Sequence, residues 1–170
     1  MEDREYKGAE RFLKTLAQNL SWIADSFIMS GEYKKAKDVM LAAVLLDGDK
    51  PNCHTGLGLA YRYLEEKRSA QRELETAIAL NPEFLPGLAI MGEFCLAEGE
   101  VEKAIDYFER DLAVLEFHHQ ECSLHLIEVM CRAYIGTGNK EKAKELISRQ
   151  IEKHPGDEDY LHLRDMLWLR

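Results

Sequence analysis

The sequence predicts an all-α solenoid of helix-turn-helix repeats, and three observations carry the prediction. Small residues recur at a fixed period: Ala36, Ala70 and Ala104 are evenly spaced, at an interval of about 34 residues. Apolar side chains step by three and four residues along most of the chain, as a helix buried on one face requires. No segment shows the polar–apolar alternation or the turn pair of a hairpin. At 170 residues and 46% hydrophobic composition, the chain is long enough for one domain with a continuous core.

The first helical pattern covers residues 9–29, with Phe12, Leu16, Leu20, Ile23 and Phe27 on one face. It begins earlier than the repeat needs, so residues 1–16 form an N-terminal helical extension. Two readings stand for it: a cap over the end of the array, or an arm for dimerisation or partner docking. Repeat A spans 17–50, with Ala24 at a small site, Phe27 at an aromatic one, Gly31 in the turn, then Tyr33, Ala36, Met40 and Ala43. Leu46-Asp47-Gly48-Asp49 closes it.

Repeat B, residues 51–84, sets the register. Leu57-Gly58, Tyr61, Ala70, Leu74, Ala77 and Pro82 fall at the spacing L-G-x2-Y…A-x3-F…A…P, with Leu74 in the Phe site. This resembles the tetratricopeptide (TPR) repeat. The spacing has a physical cause. Gly58 and Ala70 are small enough for two antiparallel helices to meet closely, Tyr61 and Leu74 fill the space beside them, and Pro82 cannot continue the second helix.

Repeat C, 85–118, carries Leu88, Gly92, Cys95, Gly99, Ala104 and Phe108, but Asp111 replaces the small residue and Glu116 the proline. Its second helix therefore runs on. Repeat D, 124–157, carries Met130, Cys131, Tyr134, Gly138, Ala143, Ile147 and Pro155. Ala143 falls later after Ala104 than the period allows, so an insertion of about five residues lies within Leu112–Ser123. Residues 158–170 read as a capping helix, with Asp157 as its N-cap. The expectation is a single TPR domain of four helix pairs and a cap: nine helices, or ten if the N-terminal extension bends.

Composition narrows the function. With 31 acidic and 22 basic residues the net charge is −9, which repels a phosphate backbone and disfavours nucleic-acid binding. The charged start MEDREYKGAE lacks the apolar region of a signal peptide, and the longest apolar run, Leu41–Leu46, is too short to span a membrane. Cys53, Cys95, Cys122 and Cys131 form no CxxC pair and read as reduced thiols. The expectation is a soluble cytoplasmic protein with a protein or peptide partner.

Catalytic signals are weak. His118, Cys122 and His125 would share a face at i, i+4 and i+7 if their segment were helical, and imidazole with thiolate suits zinc. They sit at the insertion, however, and lack strong zinc spacing, so an ordinary connection is favoured. His54 stands at the Trp site of repeat B and reads as a satisfied, semi-buried histidine. Gly56-Leu57-Gly58 lies inside a helix, where its amides are already bonded and cannot cradle an anion. Glu65-Glu66 and Glu98, Glu100 and Glu102 read as solvated turns and helix starts. No enzyme activity, cofactor or metal is expected.

The TPR resemblance implies a concave groove lined by the first helix of each repeat. The groove sites fall at Gln18, Ser21, Asp25, Ile28 and Met29; at Asn52, Thr55, Leu59, Arg62 and Tyr63; at Pro86, Ala89, Glu93, Leu96 and Ala97; and at His125, Glu128, Arg132, Ile135 and Gly136. The Lys/Asn/Arg clamp of adaptors that dock acidic chaperone C-termini is absent: Ser21, Asp25, Thr55 and Leu59 stand there instead. Apolar and small residues with scattered acids suit an extended apolar segment carrying an occasional basic side chain.

Gly31-x-Tyr33-x2-Ala36, Leu46-Asp47, Gly56-Leu57-Gly58 and Glu93-x2-Leu96-x2-Gly99 resemble the TPR chaperones of bacterial type III secretion, the translocator-chaperone class. The resemblance covers Gly31–Ala104. It implies a cytosolic chaperone that holds a segment of a membrane-inserting substrate in the groove before export. Two features depart: repeat D looks like a full fourth repeat, and Phe94 stands where that class has Cys. A needle-subunit co-chaperone is a close variant. The alternative is a structural TPR subunit of a multiprotein complex, working through its N-terminal helix or convex face and able to pair as a homodimer through that helix.

Overall fold

The computed structural model describes residues 2–168, with side chains from residue 7 onward. Among the described residues there are nine α-helices and no strand: α1 (Glu2–Met29), α2 (Tyr33–Leu46), α3 (Pro51–Tyr63), α4 (Lys67–Leu80), α5 (Leu85–Ala97), α6 (Val101–Phe117), α7 (Leu124–Gly136), α8 (Lys140–Lys153) and α9 (Glu158–Trp168). The fold is a TPR-type α-solenoid of four helix pairs with an N-terminal extension and a C-terminal capping helix. The extension does not bend. It continues α1 as one 28-residue helix, twice the length of α2. No described helix is long and apolar enough to cross a membrane.

Each pair turns through the same device. Glu32 N donates to Phe27 O (2.8 Å), Glu66 N to Tyr61 O (3.0 Å), Glu100 N to Cys95 O (2.9 Å) and Asn139 N to Tyr134 O (2.8 Å). These are six-to-one closures of a helix end, and they need one residue at positive φ. Gly31, Gly99 and Gly138 supply it at φ 77°, 79° and 82°, whereas in repeat B Glu65 is held at φ 61°. A residue with a Cβ is strained there by about 1 kcal/mol.

The chain divides into two compact units, Met1–Phe94 and Cys95–Arg170. In the first, α1 packs on α2, α2 on α3 and α3 on α4. Small residues set the spacing: a Cβ on Gly58 would lie 2.8 Å from Leu74 Cγ and 3.2 Å from the Ala70 carbonyl. Ala24, Ala36, Ala43, Ala70 and Ala77 are fully buried.

In the second unit Phe108, Ile127, Met130, Cys131, Ala143 and Ile147 form the core, and α9 adds Tyr160 and Leu163. The insertion is absorbed in two places. Helix α6 extends to 17 residues, and 118–123 form a loop. Ser123 restarts the chain as N-cap of α7, its Oγ accepting from Leu126 N at 3.2 Å. Asp157 Oδ1 accepts from Asp159 N at 2.9 Å and opens α9.

Candidate functional site

In the first unit the first helices of the pairs, α1, α3 and α5, carry the candidate peptide-binding residues. Asp25 and Met29 are exposed, Met29 at 90%, and Ile28 is half-buried. Leu59 and Ala89 are half-buried, leaving part of each side chain exposed. Arg62 and Glu93 meet: Nη1 of Arg62 lies 3.0 Å from Oε2 of Glu93, so an ion pair ties α3 to α5 across this face. That pair neutralises the basic and acidic groups predicted here. Partial desolvation by its neighbours raises the Asp25 carboxyl above its ordinary range although the residue as a whole is exposed.

Two residues sit differently from the sequence expectation. Thr55 is only 4% exposed, and its Oγ1, which has no hydrogen-bond partner, lies 3.5 Å from where a Cβ on Gly87 would sit. Helix α5 closes over it there, so Thr55 offers almost no surface. Tyr63 is 46% exposed, but its ring stacks on Tyr33 with centroids 4.4 Å apart and planes 9° from parallel. Leu96 belongs to the second unit and is half-buried, on the same face of α5 as Ala89 and Glu93.

Sequence reasoning passed over one feature. A cleft of about 470 Å³ runs along α1, lined by Lys7, Glu10, Arg11, Lys14, Thr15, Gln18, Asn19, Trp22 and Lys50. The signal was legible as Lys7, Arg11, Lys14 and Gln18 at helical steps. It went unread because the repeat pattern starts only at residue 17.

The polar residues singled out in the sequence do not converge on one site. His54 is 7% exposed between Glu73 Oε2 (2.8 Å from Nδ1) and the Gly48 carbonyl (2.9 Å from Nε2). Both neighbours are acceptors, so the ring is held between the Gly48 carbonyl at Nε2 and the Glu73 carboxylate at Nδ1. His118, Cys122 and His125 do not share a helix face. Helix α6 ends at Phe117, His119 takes φ 52°, and α7 begins only at Leu124. No group of three metal-ligating side chains occurs among the described residues. Burial pushes the Cys122 thiol up to about 11 and the Cys131 thiol up to about 12, which disfavours the thiolate a metal or a nucleophile needs.

Comparison with known proteins agrees with this geometry. Residues 51–84 match the family model of the tetratricopeptide repeat. The chain is 30% identical over 140 residues to the BBSome complex member BBS4 of Bos taurus, covering 82% of this chain and 26% of that protein. It thus spans about a quarter of that curated relative. In fold it is similar to pilF of Pseudomonas aeruginosa, with TM-score 0.77, 14% identity and coverage of 91% and 68% of the two chains. It is also similar to the first TPR of Spaghetti (RPAP3) bound to the HSP90 peptide SRMEEVD, with TM-score 0.65, 19% identity and coverage of 74% and 95%. The chain is a TPR-repeat protein in fold.

Proposed function

We propose that this chain is a protein-binding module whose α1–α3–α5 face takes an extended, mostly apolar segment of a partner polypeptide. The observation that carries the reading is the contrast on that face. Met29, Ile28, Leu59 and Ala89 are left open to differing degrees, while Arg62 and Glu93 satisfy each other. Such a face rewards apolar contact and gives an acidic peptide tail no cationic clamp. Asp25 is the remaining acid, suited to one basic side chain of the ligand. The export-chaperone version, with a membrane-inserting substrate held in the cytoplasm, draws on the resemblance of Gly31–Ala104 alone.

A second reading is a scaffold subunit of a multiprotein complex. It is favoured by the similarity to a BBSome complex member. One experiment separates the two: capture of a partner by the intact protein, followed by hydrogen exchange of the complex. Protection of α3 and α5, with loss of capture by Leu59→Asp at unchanged helicity, supports the peptide-binding face. Protection confined to residues 7–16, with Leu59→Asp binding normally, overturns it in favour of the scaffold.

A further inference from the structure

Among the described residues, the outer face of α1 is left largely open, with Lys50 beside Thr15, Asn19 and Trp22. The repeat register makes this visible. Ile23 occupies the site of Leu57, Met91 and Met130, which are 1%, 2% and 1% exposed, yet Ile23 is 49% exposed. Asn19 and Ser26 are also exposed, whereas Cys53, Gly87, Leu126 and Ala60, Phe94, Ala133 at the matching sites are buried. In α3 that face is closed by the preceding helix: a Cβ on Gly56 would lie 2.1 Å from Met40 Cε. The residue of α1 matching Gly56 is Trp22, 64% exposed. The indole there is bulkier than Gly56, Ile90 and Val129, which stand at the same site of α3, α5 and α7.

Its pattern fits a different occupant. Gly8, Phe12, Thr15, Asn19, Trp22 and Ser26 are all exposed and alternate by four and three residues, the seam spacing of paired helices. The seam reads the same from both ends about residue 17. Antiparallel pairing sets Phe12 against Trp22, Thr15 against Asn19 and Gly8 against Ser26, so two aromatic pairs flank a small polar centre. One edge of the seam carries Arg11, Gln18 and Asp25. Antiparallel helices bring like edges together, so Arg11 of one copy meets Asp25 of the other, twice. A parallel pairing makes neither match. The seam itself carries no charge, which matters in a chain of net charge −9.

We propose that a second copy of this chain occupies this face, with the two α1 helices packed antiparallel about a two-fold axis near Ala17. The contact is isologous and covers both open faces at once over about 27 Å of helix. Phe12 and Trp22 are its anchors, and the Arg11–Asp25 pairs set its direction. The proposal uses the outer face of α1 and shares only Asp25 with the peptide-binding reading.

The test is the mass of the full chain by light scattering and sedimentation across a concentration series. Twice the 19.6 kDa chain mass is expected, with Trp22→Glu and Phe12→Glu each reverting to 19.6 kDa at unchanged far-UV dichroism. Arg11→Asp weakens association about tenfold, and adding Asp25→Arg restores it. Phe12→Cys mixed with Trp22→Cys cross-links faster than either variant alone. A chain that keeps the mass of a single copy at every concentration overturns the proposal. So does a double charge reversal that associates no better than the single one, or cross-linking that is fastest for either variant alone.

Discussion

One position in the second helix of each pair separates the two halves of the molecule. In the first unit it is Ala43 and Ala77, both with no exposed surface. In the second it is Asp111 and Gln150, exposed by only 4% and 2%. The same place in the repeat therefore takes a methyl in one unit and a larger polar side chain in the other. Nothing compensates fully: burial alone raises the Asp111 carboxyl to about 6, and Gln150 Nε2 has no hydrogen-bond partner. The alanines let helices meet closely. The polar pair sits where the insertion lengthens α6 and where a cleft of about 340 Å³ opens beside Gln150 and Cys122. A repeat register preserves position, but the space at that position is set by the neighbouring helices.

The first unit also buries polar groups, and His54 with Glu73 shows the other outcome. Their 2.8 Å contact, the Gly48 carbonyl on Nε2 and Arg72 Nη2 at 3.1 Å from Glu73 Oε1 leave the pair bonded. A buried polar group is tolerated when it is partnered and destabilises when it is bare.

The contrast can be broken by transplanting the bare carboxylate. Ala77→Asp puts an unpaired, overpacked charge into the tight repeat and should cost about 4 kcal/mol, read as a large fall in the urea midpoint. A loss below about 1 kcal/mol would mean the first unit has room that its alanines do not reveal. Removing a partner is the next largest effect. His54→Leu leaves Glu73 with Arg72 alone and should destabilise by roughly 2 kcal/mol at neutral pH.

The smallest change has the opposite sign. Asp111→Ala makes the second unit resemble the first and should stabilise by about 1 kcal/mol near pH 7.5, allowing for solvent screening. The pH dependence follows from the raised carboxyl. Protonated Asp111 is tolerated, so its contribution is most favourable below pH about 4 and is lost as pH rises through about 6. The gain from Asp111→Ala should accordingly shrink or vanish at pH 4. A gain equal at both pH values would assign it to packing, not charge.

Much of the architecture was legible because repeats are read by period. Gly58 beside Ala70, the left-handed turn glycines Gly31, Gly99 and Gly138, and the prolonged α6 all follow from residue size and spacing. The candidate site was legible only in part. Arg62 and Glu93 stand in different repeats, and no local pattern shows that they pair. Thr55 fits a surface position by register, but α5 packs over it at Gly87.

The sequence by itself determined the helical class and where the chain turns within each helix pair, since these depend on local propensity and on periodic apolar faces. Tertiary structure decided which of those faces stay open. Ile23 and Leu57 occupy the same repeat position, and only the presence of α2 against α3 buries one and not the other. Tertiary structure also decided which polar groups are partnered, because burial and pairing depend on neighbours that the local pattern does not name.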